Sequence, residues 1–417
     1  MATMQISAGE PLVSTREVLS ATSMVRASLK RLSQWLEAHQ YEGYDTFDGL
    51  NARFVRFLTF EQPLLRMVLQ QGIRRFPLNL RPLLGVRRSR STKGMGFLAA
   101  GFIRLHRLTG DAAWGERARA ALEWLLENVS PGYAGACWGN HFDYQSRSVF
   151  ERRLSPSVVW TSHIGHAFLD AFEHFGDPLY LDTAASACEH ILKDLGAHEE
   201  DDARCINYFP TSSHHVHNAN TLGASLLART YAHTGNAEFH DLATRAMLYT
   251  ARHQHADGSW DYGEESNLRW VDNFHTAYVL DCFKHYSEST GDAQFDSVTM
   301  RGYRYWKSTF FCDDGAPRYY SAGMRPLDIQ CSSQAIDTLA YFNDLDPDNL
   351  SLAVRVAEWT IRHMQDRSGY FYYRRYPAGI VNRTPTLHWG QATMFSALAA
   401  LLGLLAREGA GSIHLCD

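Results

Sequence analysis

Apolar and polar positions follow a helical rhythm along this chain, and the rhythm changes from segment to segment. In the more polar segments, such as 112–128 and 236–253, apolar residues recur every three or four positions with Arg and Glu between them. Six other segments are rich in Ala, Leu and Phe and poor in charge around most of the helix: 96–108, 162–175, 222–233, 276–286, 333–342 and 391–405. Helices of that second kind are buried on most sides. The pattern predicts an all-α protein in which buried and amphipathic helices alternate.

A short turn recurs after the apolar helices and indicates an internal repeat. It reads Thr109-Gly110-Asp111, Phe175-Gly176-Asp177, Thr234-Gly235-Asn236, Thr290-Gly291-Asp292 and, in degenerate form, Leu345-Asp346-Pro347. Glycine at such a position ends one helix in the left-handed conformation, and the following Asp or Asn caps the next helix. Each turn therefore joins an apolar helix to an amphipathic one within a helical hairpin.

The repeat predicts the architecture. With 24–39 as a further outer helix, six pairs fill the chain, and one layer of hairpins buries both apolar faces only if it closes or stacks. We predict an (α/α)6 toroid as a single domain over residues 21–408, with a flexible segment at 1–20 and a tail at 409–417. An open solenoid is the alternative.

The loops that precede the apolar helices concentrate the aromatic and histidine residues of the chain, which number 22 Phe, 20 Tyr, 10 Trp and 20 His. In a toroid these loops converge on one mouth of the ring, at the N-termini of the inner helices. Helix N-termini carry partial positive charge and free N–H groups, and aromatic rings suit the C–H faces of sugars. We therefore expect a sugar-binding mouth.

Carboxylates at the predicted mouth are candidates for cleavage of a glycosidic bond, which needs one acidic and one ionised carboxyl group. We prefer Asp143 and Asp272 as this pair, with Asp328 as a third candidate; Asp45, Asp48, Glu264 and Glu265 also lie in these loops. Asp272 and Asp328 stand where inner helices begin, so helix capping is the alternative role for both.

Histidines recur at the starts of the inner helices, at positions 163, 217, 275 and 388. Because imidazole titrates near neutral pH, His275 and His388 are candidates for moving a proton at a sugar carbon. Structural hydrogen bonding is the alternative for any one of them. Candidate substrate-binding residues are Trp138, Asn140, His141, Tyr144, Arg147, His163, His217, Trp260, Tyr262, Trp270, Tyr373, Trp389 and Gln391.

Composition excludes several other classes of protein. The formal net charge is −5, which argues against a nucleic-acid binder. Residues 1–20 lack a secretory-signal pattern, the apolar run 395–405 is too short to cross a bilayer, and seven scattered cysteines indicate reduced thiols. We expect a cytoplasmic protein without membrane insertion; its oligomeric state is open. His214-His215-x-His217 lacks zinc spacing, and no phosphate loop follows a strand, so we expect neither metal nor cofactor.

Eight segments together resemble a known family: YEGYDTFDGLNAR (41–53), NLRPLLGV (79–86), KGMGF (93–97), CWGNHFDYQSR (137–147), VHNANTLGASLLAR (216–229), DGSWDYGE (257–264), WVDNFHTAY (270–278) and HWGQA (388–392). The chain is similar to six-hairpin toroid proteins found with exopolysaccharide genes. Some members are described as VpsJ-like polysaccharide biosynthesis proteins, and others are labelled delta-aminolevulinic acid dehydratase, a label that an all-helical chain does not support. The resemblance implies a toroid and a glycan context, without a settled reaction.

The wider superfamily implies three functional hypotheses. The first, which we prefer, is a glycoside hydrolase that uses the mouth carboxylates on a uronate- or amino-sugar-containing glycan. The second is an epimerase or lyase that uses histidine and tyrosine, because His275 and His388 are placed like the histidine pair of N-acylglucosamine 2-epimerases. The third is a non-catalytic glycan-binding factor in exopolysaccharide assembly.

Overall fold

The computed structural model describes residues 15–145, 150–323 and 326–409, apart from the side chains of Thr15 and Arg56. Over these residues the chain forms fourteen α-helices and seven short strands. The first three helices are α1 (Thr15–Ala38), α2 (Val55–Thr59) and α3 (Pro63–Arg75). Helix α1 takes in residues 15–20 of the segment expected to be flexible, and residues 1–14 and 410–417 lie outside the described chain.

Six helices line the inside of a ring. They are α4 (Thr92–Thr109), α6 (Val158–Phe175), α8 (His217–Thr234), α10 (Asn273–Thr290), α12 (Ile329–Tyr341) and α14 (Thr393–Glu408). Each packs on the next, and α14 packs back on α4. The ring is therefore closed, which confirms the predicted toroid and excludes the open solenoid.

The outer helices complete the six hairpins. They are α1 together with α5 (Ala112–Glu127), α7 (Pro178–Lys193), α9 (Ala237–Arg252), α11 (Asp296–Thr309) and α13 (Asp348–Met364). The predicted turns are present: Gly110, Gly176, Gly235 and Gly291 have φ near +70° and end their helices. Asp111, Asp177 and Asn236 accept the N-cap hydrogen bonds of the next helices. The predicted cap at Asp292 is wrong, because α11 begins at Asp296 with Phe295 as its N-cap residue.

The strands belong to the loops at the mouth and at the rim. They are β1 (Tyr144–Gln145), β2 (Phe150–Glu151), β3 (Ala197–Glu200), β4 (Ala203–Ile206), β5 (Leu327–Asp328), β6 (Arg374–Arg375) and β7 (Val381–Asn382). All pair antiparallel, β1 with β2, β3 with β4, and β5 with β6 and then β7. The last sheet joins the loops before α12 and α14.

One helix of the described chain, Leu387–Glu408, is long and apolar enough to cross a membrane by length and composition. The sequence predicted that the apolar run was too short to cross a bilayer. The helix is longer than predicted because a π-helical turn over Leu387–Ala392 precedes α14. Of its most apolar window, 78% is buried inside the protein. The apolar surface of this helix is therefore used to build the inner wall of the ring.

Candidate functional site

The mouth of the ring is formed by the first turns of the inner helices and the loops before them. Here α10 begins with an N-cap at Asp272, α12 with an N-cap at Asp328, and α6 with an N-cap at Ser157. Sequence analysis predicted this convergence. The described structure adds which side chains meet there.

Asp272 and His275 form a carboxylate–imidazole dyad. Oδ1 of Asp272 accepts the backbone N–H of His275, which is the capping contact, while Oδ2 lies 2.7 Å from His275 Nδ1. The indole N–H of Trp270 also donates to Oδ2, at 2.9 Å. Because the carboxylate is buried and holds Nδ1, it orients the ring and directs Nε2 away from this contact. Capping and support of His275 are thus two roles of one aspartate.

A second dyad pairs residues from opposite ends of the chain. Nδ1 of His388, on the π-helical turn, forms an ion pair with Oδ2 of Asp45, and both side chains are buried. Burial alone raises the pKa of Asp45, but the charge and hydrogen bond of His388, with help from His141, lower it to about 2. Asp45 is therefore an anion that fixes His388, whose Nε2 has no hydrogen-bond partner among the described residues.

The two dyads flank a pair of aromatic rings. Phe274, next to His275, contacts Trp389, next to His388, with ring centroids 5.4 Å apart. Trp389 donates its indole N–H to Asp328 at 2.9 Å. The two histidines therefore border the same aromatic floor.

Lys93, in the first turn of α4, is buried among aromatic faces. Its Nζ lies 4.8 Å from the ring centroid of Trp160 and 5.9 Å from that of Tyr278. Trp160 in turn contacts His388, with ring centroids 5.4 Å apart. Burial lowers the pKa of Lys93 to about 7, and the distant charge of Asp45 only partly opposes this. An anionic ligand placed near Nζ would therefore stabilise the charged form of Lys93.

Asp328 is committed to the structure. Its Oδ1 accepts the N–H of Gln330 as the cap of α12, and its Oδ2 forms a buried ion pair with Arg374 on β6. Asp143, by contrast, lies at the rim, where its Oδ1 accepts the backbone N–H of Arg153 at 2.8 Å. In the described structure no hydrogen bond joins the carboxylate of Asp328 or Asp143 directly to either dyad. The catalytic roles of these two aspartates therefore stay predictions.

Three further predicted histidines, at positions 141, 163 and 217, are buried or half-buried near the mouth. His217 is held at both ring nitrogens, by Glu264 at 2.7 Å and Thr250 at 3.4 Å. Burial lowers the pKa of His141 to about 4 and that of His163 well below its usual value. His141 and His163 are therefore neutral near pH 7, whereas both ring nitrogens of His217 are already engaged by protein partners.

The aromatic candidates divide into core and mouth. Trp138 is fully buried, stacks on Phe168 and donates its N–H to the carbonyl of Leu125 at 2.9 Å. Trp260 is likewise buried and donates to the Thr250 carbonyl at 2.8 Å. The expected sugar stacking by these two tryptophans is thus wrong for this conformation, because each ring fills the space between an inner and an outer helix.

Other candidates do lie at the mouth. Tyr262 stacks on Trp270 and contacts His275, with centroids 4.6 and 4.5 Å away. Tyr144 contacts Phe47 at the rim, and the Tyr373 hydroxyl accepts the Nε–H of Arg74 at 2.9 Å.

The remaining candidates have other environments. Gln391 is buried and pins the last loop through the backbone of Phe371. Arg147 lies outside the described residues.

Within the described part of the chain, several buried polar atoms near the mouth have no protein hydrogen-bond partner. They include Trp160 Nε1, His163 Nε2, His388 Nε2, His141 Nδ1, Asn140 Oδ1 and Asn218 Oδ1. Buried polar groups normally have hydrogen-bond partners. A ligand with many hydroxyl groups would supply them, which is consistent with a sugar. No group of three His, Cys, Asp or Glu in the described chain is arranged to hold a metal ion.

An insertion covers the mouth. Backbone hydrogen bonds join Gly43 to Ser89, so the excursion between them starts and ends at one place. At its base Arg81 forms a buried ion pair with Asp48, 2.5 Å apart. Helix α3 lies across the mouth loops, because Gln70 donates to the backbone carbonyl of Gln145 at 3.0 Å and Arg74 donates to the Tyr373 hydroxyl at 2.9 Å.

Sequence reasoning missed Lys93 and the partnership of Asp45 with His388. Lys93 opens the KGMGF segment, and a lysine in the first turn of a mostly buried helix was an available signal. The Asp45–His388 pair had no local signal, because its members meet only when the ring closes.

Comparisons with known proteins support the fold. No family model matches the chain, and no curated protein matches it. Among solved structures it is similar to cellobiose 2-epimerase from Bacillus thermoamylovorans, with 13% identity, a TM-score of 0.62, and coverage of 78% of this chain and 90% of that one. It is also similar to a GH76 α-mannanase from Bacteroides thetaiotaomicron (15% identity, TM-score 0.56, coverage 77% and 87%). An unsaturated glucuronyl hydrolase from Streptococcus agalactiae gives 12% identity, a TM-score of 0.57, and coverage of 94% and 93%.

These three proteins share the six-hairpin, glycosidase-like toroid and act on sugars, by the names they carry. At such low identity the likeness establishes the fold alone. The chain therefore has the same closed six-hairpin toroid fold as these structures.

Proposed function

We propose that this protein is a sugar epimerase that removes and returns the proton of a C–H bond next to a carbonyl group, on a uronate- or amino-sugar-containing substrate. One observation carries the proposal. Two histidines at the mouth, His275 and His388, each have Nδ1 held by a buried aspartate, and they border one aromatic floor. Epimerisation needs a base on one face of the carbon and an acid on the other.

The reaction is balanced by these groups. The Nε2 lone pair of one histidine takes the proton, and the C–H electron pair moves to the neighbouring carbonyl, leaving an enediolate. The Lys93 ammonium, which has no carboxylate contact within the described ion pairs, stabilises the negative oxygen. The second histidine then delivers a proton from the other face, which inverts the carbon.

Substitution by asparagine tests the roles of the two histidines. In H275N and H388N, the new amide can still donate to Asp272 or Asp45, while the proton-transferring Nε2 is lost. We expect wild-type protein in deuterated water to wash deuterium into the C–H positions of cellobiose, N-acetylglucosamine or glucuronate, measured by proton NMR. Each variant should lose at least a hundredfold of this exchange.

The control is H240N, which changes a histidine on the outer helix α9 and should exchange normally. Exchange retained in H275N and H388N would contradict the proposal. New reducing ends without deuterium exchange would instead show hydrolysis, and tight binding in calorimetry without any product would show a binding factor.

Hydrolysis of a glycosidic bond is the second candidate, and one observation favours it. Asp45 and Asp48 are neighbours with opposite pKa shifts, since burial raises that of Asp48 to about 6 against the opposing charge of Arg81, while that of Asp45 is about 2. Such a split is typical of an acid and its ionised partner. The earlier preference for Asp143 with Asp272 stays a prediction within this candidate.

The biological setting belongs to the same proposal. The motif resemblance to VpsJ-like proteins supports a role in exopolysaccharide biosynthesis. The six described cysteines are unpaired, and this is consistent with the cytoplasmic location that we propose.

A further inference from the structure

The insertion over the mouth exposes an unusual amount of apolar surface. Six exposed side chains on and beside α2 and α3 are here called the α2–α3 patch. They are Phe54, Phe57, Phe60, Leu64, Leu65 and Val68. Phe57 is 73% exposed and Phe60 is 69% exposed. Contiguous apolar surface of this kind marks an interaction site.

The local backbone and the amphipathic pattern of α3 keep the patch exposed. Leu64, Leu65 and Val68 lie on one face of α3, while Gln70 and Ile73 on the other face are buried. Phe60 and Glu61 at the tip have φ of 46° and 57°, a region that favours glycine and costs other residues free energy. The turn therefore holds an aromatic side chain outward, although a glycine would relieve the backbone.

The segment that carries the patch has charge of nearly one sign. Residues 53–90 contain nine arginines and one glutamate, whereas the whole chain has a net charge of −5. Three of these arginines are used internally: Arg81 pairs with Asp48, Arg74 bonds to Tyr373, and Arg66 lies on the Phe150 ring. Others face outward, namely Arg53, Arg75, Arg87 and Arg88. The segment is thus apolar and cationic on a protein that is otherwise slightly acidic.

We propose that the α2–α3 patch docks on the surface of an anionic phospholipid bilayer. Its phenylalanine and leucine side chains enter the boundary between headgroups and acyl chains, and exposed arginines of the same segment meet lipid phosphates. A short amphipathic helix rich in arginine, with aromatic residues at its tip, is the sequence type that binds there. In a symmetric dimer the arginine-rich segments of two copies would face each other and repel, so an anionic lipid surface complements the patch better than a second copy does.

Docking would place the mouth beside the membrane, since the inner face of α3 lies on the mouth loops. Such an orientation suits a substrate carried on a lipid. The inference goes beyond the proposed reaction and does not depend on it, because binding to vesicles is measured without turnover.

Co-sedimentation of the full chain with vesicles tests the proposal. Vesicles of phosphatidylcholine with 30% phosphatidylglycerol should retain the protein, and pure phosphatidylcholine should retain at least tenfold less. Raising the salt from 0.05 to 0.5 M should release it, because screening weakens the arginine contacts. The variant F57S/F60S/L64S should bind at least tenfold more weakly.

The matched control is L19S/L179S, which removes two exposed leucines, 62% and 50% exposed, on the outer helices α1 and α7. It should bind like wild type, and circular dichroism should show both variants folded. Absence of wild-type binding to anionic vesicles, or equal binding by the triple variant, would overturn the proposal. A wild-type dimer that the triple variant converts to monomer, without vesicle binding, would show instead that a second copy covers the patch.

Discussion

At the scale of single residues, the mouth is organised by what each titratable group touches. Asp272 and Asp45 do the same work in two places, since each holds a histidine by Nδ1. Asp328 holds an arginine instead. The roles of these three aspartates therefore differ because of the side chains they contact and not because of their residue type.

Lys93 and Lys284 provide a matched pair for a stability prediction. Both lysines are buried, but Lys284 reaches the Tyr341 carbonyl at 2.6 Å and Asp344 at 2.5 Å, whereas Lys93 faces aromatic rings. We expect K93M to raise the free energy of unfolding at pH 7 by about 1–3 kcal/mol and to lower turnover, because it removes a buried charge without a partner. K284M should destabilise by a similar amount.

The pH dependence of K93M gives a second measurement. The pKa of Lys93 falls from 10.5 to about 7 on folding, so between these values the unfolded chain binds more protons than the folded one. The free energy of unfolding of wild type should therefore rise as the pH rises from about 7 towards 10. Urea titrations of K93M should lack this rise; an identical slope would contradict the shift.

At the scale of elements, the repeat depends on glycine turns. Gly235 has φ of 67° with nothing within 4 Å of an added Cβ, so G235A meets only the backbone cost, about 1 kcal/mol. Gly135 differs, since its Cβ would lie 1.9 Å from the Ser186 carbonyl oxygen on α7. Urea unfolding should show G135A as clearly the more damaging. Equal midpoints for the two would contradict this.

These elements show how far sequence reasoning reached. The Gly–Asp turns, the capping aspartates and the inner helices were predictable, because caps and hydrophobic periodicity are local. The burial of Trp138 and Trp260 was not, since an aromatic residue in a loop has the same local pattern whether it faces a ligand or the core.

At the scale of the whole molecule, the ring is closed by the contact of α4 with α14. Gly101 allows this approach, because its Cβ would lie 2.7 Å from the Phe395 ring and 3.2 Å from Ser396 Cα. We expect G101A to destabilise by about 1–3 kcal/mol through overpacking of the seam. The control G403A, on α14 with nothing within 4 Å, should stabilise by about 0.5–1 kcal/mol. Thermal unfolding of both variants checks this, and a stabilised G101A would refute the role of the seam.

The amino-acid sequence is enough to predict the helical repeat, the hairpin turns and the end of the ring where polar and aromatic residues lie, because these follow from local backbone and burial preferences. The contact of Asp45 with His388, the lost solvation of Lys93 and the apolar face that α2 and α3 expose over the mouth arise only when the whole chain folds. Those outcomes depend on which elements become neighbours when the ring closes. Hydrogen-bond partners, pKa values and exposure are properties of that arrangement, and a single segment does not contain them.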